Sequence, residues 1–218
     1  MLEILTLTLG PVSTNTYLFA DTETGAAAVI DPAWDGDIIL AAANKRNWKI
    51  GQLWYTHAHF DHFGGAAELA RSLTPAPSVA MHLKDHFLWN VGGGGALFGY
   101  KIDKGPAPSV DLASVRTLNL GSLIFEVRHT PGHTPGHCAF YCADAGAERS
   151  RSVLFSGDLI FQGSVGRTDL PGGSTNTLIN SIRTQVFTLP GATRILSGHG
   201  PETTVGEEKA SNPFVGGA

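Results

Sequence analysis

Cysteine is nearly absent: 218 residues hold only Cys138 and Cys142. In the extended run Cys138-Ala-Phe-Tyr-Cys142 they stand ~13 Å apart at ~3.3 Å per residue, whereas a disulfide needs Cα atoms within ~7 Å. A mutual disulfide is excluded there, and nothing points to an oxidising compartment. Packed strand thiols are the expected reading, with Cys138 as a metal ligand beside His137 the rival. Charge is also sparse, at 16% of residues and a net −4 from 15 Lys and Arg against 19 Asp and Glu. Without a Lys/Arg cluster, nucleic acid is not an expected partner. No apolar run reaches the ~20 residues of a membrane helix. The segment Met1–Leu9 lacks a positive leader and carries Glu3, unlike a secretory signal. A cytoplasmic protein with no membrane or nucleic-acid partner is the expectation. Hydrophobic residues make up 42%, which argues against disorder.

Glycine, by contrast, is abundant at 27 residues, well above the usual ~7%. The excess gathers at residues 92–95 and 163–173 and around His133 and His199, as sharp turns near one site would require. Alternation and turn signals predict strands at Leu2–Leu9, Thr16–Ala20, Ala27–Ile30, Gln52–Thr56, Val79–His82, Val115–Leu120, Leu123–His129, Cys138–Cys142, Ser152–Ser156 and Thr193–Ser197. Helices are expected at Asp37–Arg46, with Ile38, Ile39 and Ala42 inward, at Gly65–Leu73, and at Asn176–Phe187. Residues 90–113 read as a long loop. No linker divides the chain, so residues 1–218 are expected to form a single domain of packed sheets with helices outside.

The histidines carry the chemistry. Thr56-His57-Ala58-His59-Phe60-Asp61-His62 places three imidazoles and a carboxylate just past a predicted strand. His57 and His59 point the same way if the chain stays extended, and Asp61 and His62 project from the following turn. Such donors suit Zn, Fe or Mn. Three further segments, Pro131-Gly-His133-Thr-Pro-Gly-His137, Ser156-Gly157-Asp158 and Ser197-Gly198-His199-Gly200, also follow strands. Together they suggest a shared rim that could cradle a ligand.

The series THAHFDH, PGHTPGH, SGD and SGHG, in this order, resembles the metallo-β-lactamase superfamily. More closely it resembles the short glyoxalase-II-like (hydroxyacylglutathione hydrolase-like) branch, with the likeness running from Asn15–Leu18 through Gly166–Asp169 to the GHGPETTVGEEKASNPF segment. The resemblance implies an α/β fold, the four-layer αββα sandwich, without the C-terminal helical domain of full-length glyoxalase II. It also implies two divalent metal ions, zinc with iron or manganese as alternatives. By resemblance, His57, His59 and His133 hold the first ion, Asp61, His62 and His199 the second, and Asp158 bridges them. His137 then lies behind the ligands, holding a neighbour by a hydrogen bond, while His82, His86 and His129 are expected to be structural.

Two ions sharing one carboxylate would activate a water between them, with Asp61 directing it. No dedicated proton donor is evident near the motifs. A thiolate, with a pKa near ~8.5, departs unprotonated where an amine cannot. The implied function is therefore hydrolysis of small-molecule thioesters, S-acylglutathione such as S-lactoylglutathione above all. A mono-iron persulfide dioxygenase using His57, His133 and Asp158, and a lactonase, are the alternatives. Arg167 falls where the family's substrate-binding lysine sits and could grip a carboxylate, or could pair with Asp169. Lys101, Lys104 and the Gly92–Gly95 loop are further candidates for a substrate pocket.

Overall fold

The computed structural model describes residues 1–145 and 152–217. Strands β1 (Leu2–Leu9), β2 (Thr14–Asp21), β3 (Ala26–Ile30), β4 (Lys49–Trp54), β5 (Ser78–Met81) and β6 (Val110–Asp111) form one sheet in that spatial order. Its first three strands pair antiparallel and the rest parallel. Next in the chain come β7 (Thr117–Leu120), β8 (Leu123–His129), β9 (Cys138–Cys142), β10 (Val153–Gly157), the small hairpin β11 (Ile160–Phe161) and β12 (Ser164–Val165), β13 (Arg194–Ser197) and β14 (Thr203–Thr204). The second sheet runs β14-β13-β10-β9-β8-β7.

Period-two alternation builds the layers. On β2, Tyr17 and Phe19 join Phe125, Phe140 and Phe155 of the second sheet in the core between the sheets. Leu18 and Ala20 face the other way, into a cluster with Ile39 and Ala43 of α1 (Gly36–Asn44), Phe63 of α2 (Phe60–Phe63) and Leu69 of α3 (Ala66–Arg71). The second sheet's outer residues Ala139, Tyr141, Leu154 and Ile195 pack on Leu178 of α5 (Thr175–Ser181), which runs on into a π-helical turn at Ile182–Val186. Sheet residues buried on both faces read as continuous apolar runs, and the result is the αββα sandwich. Among the described residues no helix is long and apolar enough to cross a membrane.

Several expectations need correction. Ile38 is exposed, and α1 docks through Ile39 and Ala43, an i,i+4 pair that turns the stripe one residue from the expected face. The helix expected at Gly65–Leu73 is preceded by the separate turn α2. The loop expected over residues 90–113 holds a 3₁₀ turn at Gly95–Phe98 and β6, and it follows a short unforeseen helix, α4 (His86–Asn90). Also unforeseen are β14 and α6 (Val205–Ser211). The Thr204 hydroxyl caps α6 by accepting from the Glu207 N–H at 3.2 Å, a Thr-x-x-Glu signal legible in the sequence. Both cysteines are free and buried on β9. Cys138 Sγ lies 3.5 Å from the Gly136 carbonyl it donates to, and burial pushes its thiol pKa up. The packed-thiol reading therefore holds.

Phe19 is the hinge of the inter-sheet core, with ring centroids 5.1, 5.3 and 5.4 Å from Trp54, Phe125 and Phe155. Phe19→Ala is expected to cost about 3–5 kcal/mol of stability, read as a drop in the urea midpoint at an unchanged slope.

Candidate metal centre

Each histidine or carboxylate singled out in the sequence sits where a strand of the sandwich ends. His57 and His59 follow β4, Asp61 and His62 lie in α2, and His133 lies in the β8–β9 connection; Asp158 follows β10 and His199 follows β13. His59 remains extended, with φ −72° and ψ 146°, so both histidines of the His-Ala-His pair reach one point. His133 Nε2 lies 2.8 Å from His59 Nδ1 and 3.1 Å from His57 Nε2. Asp158 reaches His62 Nε2 with Oδ1 at 3.4 Å, and with Oδ2 reaches His199 Nε2 at 3.5 Å and His133 Nε2 at 3.6 Å. Asp61 Oδ2 is 3.4 Å from both His62 Nε2 and His199 Nε2. Three donor groups result, each with ligand atoms within 4.8 Å of one another: His57/His59/His133, His57/His62/Asp158 and Asp61/His62/His199.

The hydrogen bonding behind these groups shows that they suit cations. The Nδ1 of His133 faces the Arg167 carbonyl at 2.7 Å, so it carries the proton and leaves Nε2 a bare lone pair. The Nδ1 of His62 donates to Asp31 Oδ2 at 2.9 Å, which aims Nε2 at Asp61 and Asp158. Imidazole nitrogens and carboxylate oxygens thus converge on one small buried space, where the carboxylates call for positive charge. In keeping with this, His62 Nε2 and Asp158 Oδ1 are buried without a hydrogen-bond partner, a costly state for polar atoms. Gly198 leaves the space open, since a Cβ there would run into Asp158 Oδ1. The residues fit divalent ions.

The electrostatics agree. Burial lowers the His59 pKa to about 3, which keeps one of its ring nitrogens free for coordination at neutral pH. Burial also opposes charge on His62, yet Asp158, Asp61 and Asp31 outweigh it and raise its pKa well above the ordinary value. The His199 pKa, lowered by burial but raised more by Asp158 and Asp61, reaches about 9. The pocket calls for positive charge.

A supporting layer was not foreseen from the sequence. Asp31 accepts from the Thr56 N–H and hydroxyl, both at 2.7 Å, and from His62. Thr14 donates to Asp61 Oδ2 at 2.9 Å. Asp85 accepts from the Ala58 N–H, the Thr134 hydroxyl and the Gly136 N–H, joining the two histidine loops. The Asp31-Pro32 end of β3 was the available signal for Asp31; Asp85 had none. His137 does lie behind the ligands as expected, its Nε2 accepting from the Asp158 N–H at 3.1 Å. His82 stacks on His129 at 4.3 Å, outside the donor groups, and His86 rests by Trp89; their structural reading holds.

A cleft of about 330 Å³ opens over these donors and is lined also by Arg167 and the Gly93–Gly94 turn. Arg167 makes the local pair with Asp169, at 2.8 and 2.7 Å, and holds the Asp169 pKa down to about 2. Lys101 and Lys104 are not among the lining residues. The Lys104 ammonium sits over the Trp89 ring at 4.4 Å.

A family model described as the metallo-beta-lactamase superfamily matches residues 9–199. The chain belongs to the metallo-beta-lactamase superfamily. Within that superfamily it is 34% identical over 216 residues to the hydroxyacylglutathione hydrolase GloC of Haemophilus influenzae, covering 92% of each chain. The BLEG-1 B3 metallo-beta-lactamase structure superposes with a TM-score of 0.88 at 35% identity, over 99% of this chain and 100% of that one. TTHA1623, solved in a di-iron-bound form, gives a TM-score of 0.82 at 37% identity, over 96% and 99%. Superfamily membership and the His/Asp clusters support a metal-dependent hydrolase that uses divalent ions.

Proposed function

We propose that this protein hydrolyses thioesters, of the S-acylglutathione class such as S-lactoylglutathione, at a two-ion centre. His57, His59 and His133 would hold one ion, Asp61, His62 and His199 the other, and Asp158 both; zinc is the first candidate, with iron or manganese able to take the same donors. The observation that carries this reading is the Asp158 carboxylate, whose two oxygens face histidines of both triads. When bound, the ions would supply Lewis acidity and bring a water's pKa toward neutrality. Asp61, to which the Thr14 hydroxyl donates, would accept a hydrogen bond from the attacking water and so set its direction. A thiolate leaves without a proton, consistent with a cleft that has no lysine among the described residues lining it. The likeness to GloC supports the glutathione thioester, and the likeness to a B3 β-lactamase makes a cephalosporin the informative competitor.

The test is turnover of S-lactoylglutathione by protein whose metal content is measured in the same sample. About two ions per chain are expected, with activity falling at least ~100-fold on chelation and returning when a divalent metal is restored. A single iron with oxygen uptake on a persulfide, or faster turnover of a cephalosporin than of any thioester, would reject the reading.

A further inference from the structure

Four large apolar side chains stand in solvent along one wall of the metal cleft: Phe87 is 76% exposed, Leu97 77%, Val91 53% and Phe98 51%. All four line the same cavity as His59, Asp61, His133, Asp158 and His199. Isolated exposed apolar residues need no explanation, but a contiguous group beside a polar centre marks a binding surface.

The wall is fastened to the donor-bearing turn. Gly93 has φ +65°, and a Cβ there would collide with the Phe60 backbone nitrogen. Its N–H donates to the Leu88 carbonyl at 2.8 Å and its own carbonyl accepts from the Phe60 N–H at 3.1 Å. Phe98 stacks on Phe60 with ring centroids 5.4 Å apart. Phe60 lies between His59 and Asp61 in the chain, so the wall is held in register with the donors.

The charge facing this wall is small. Arg167 is the one Lys or Arg among the described residues lining the cleft, and its Nε and Nη2 donate to Asp169. An alkyl chain would meet ready apolar surface there.

We infer that the Phe87/Val91/Leu97/Phe98 wall seats an apolar acyl chain, so that within the thioester class proposed above kcat/KM rises with the length of the acyl group. This selectivity rests on the thioesterase reading above, while binding of the chain to the wall does not. A buried methylene is worth about fourfold in affinity (~0.8 kcal/mol).

The experiment uses neutral N-acetylcysteamine carrying S-acyl groups of two to six carbons for turnover, and the matching S-alkyl thioethers, which cannot be hydrolysed, for calorimetric binding. The metal-loaded protein should bind the thioethers about two- to fourfold more tightly per added methylene, with kcat/KM for the thioesters rising in parallel. The double variant Phe87→Ala/Leu97→Ala, which changes only exposed side chains, should flatten both slopes to under about twofold per methylene. A flat series in the unaltered protein, or an unchanged slope in the double variant, overturns the inference about the wall. A thioether series that steepens with length while no thioester is turned over supports the wall and rejects the thioester chemistry instead.

Discussion

Asp158→Ala is expected to lower the metal content from about two ions per chain toward one or none and kcat by on the order of 10³ or more. The oxygens of the Asp158 carboxylate face histidines of both triads, reaching His62 on one side and His133 and His199 on the other. Burial resists its charge, but His62 and His199 hold its pKa well below the ordinary carboxylate range. Alanine removes that charge from among three imidazoles, and the remaining donors must then bind cations with one negative charge fewer. Asp158→Asn separates the two contributions. It keeps a coordinating oxygen and the shape while removing the charge, so it should retain more metal than the alanine variant yet remain slow. Metal analysis of both proteins beside steady-state rates is the check. A normal metal content in Asp158→Ala would show that the two triads do not share this group.

The same residues show how far the sequence could be read. The layered fold was legible because alternation along segments such as Thr16–Ala20 and Cys138–Cys142 assigns each side chain to one face of a doubly covered sheet. The donors were legible because they cluster in short motifs directly after strands, and the family resemblance said which of those distant motifs converge. The supporting carboxylates were not, because Asp31 and Asp85 act through hydrogen bonds to residues 25 to 51 positions away, and nothing in their own neighbourhood marks the partner. The apolar wall was hidden for a similar reason. His86–Asn90 and Gly95–Phe98 are too short to establish a period, and their orientation depends on Gly93 meeting Phe60. The one-residue error in α1 likewise arose where Ile38 and Ile39 are adjacent and periodicity cannot choose between them.

Asp85→Ala should weaken metal binding by about 10- to 100-fold although Asp85 belongs to none of the donor groups. Its Oδ2 accepts from the Ala58 N–H at 3.1 Å and the Thr134 hydroxyl at 2.7 Å, and its Oδ1 from the Gly136 N–H at 2.6 Å. Ala58 separates His57 from His59, and Thr134 adjoins His133, so one buried side chain sets the spacing of the first triad. Removing it strands three donors. At about 1–3 kcal/mol for each buried group left unsatisfied, the fold should lose about 3 kcal/mol or more. Stability loss alone would not identify a positioning role, so the informative readout is metal affinity measured well below the unfolding transition. Asp85→Asn sharpens the comparison. Its amide oxygen can serve Ala58 and Thr134, but its NH₂ then meets the Gly136 N–H donor to donor, which should leave the His57/His59 side in place and disturb the loop carrying His133. Asn should therefore fall between the parent and Ala in metal affinity. If Asp85→Ala bound both ions with parental affinity while its urea midpoint fell, the carboxylate would be a structural tie with no hold on the triad's geometry.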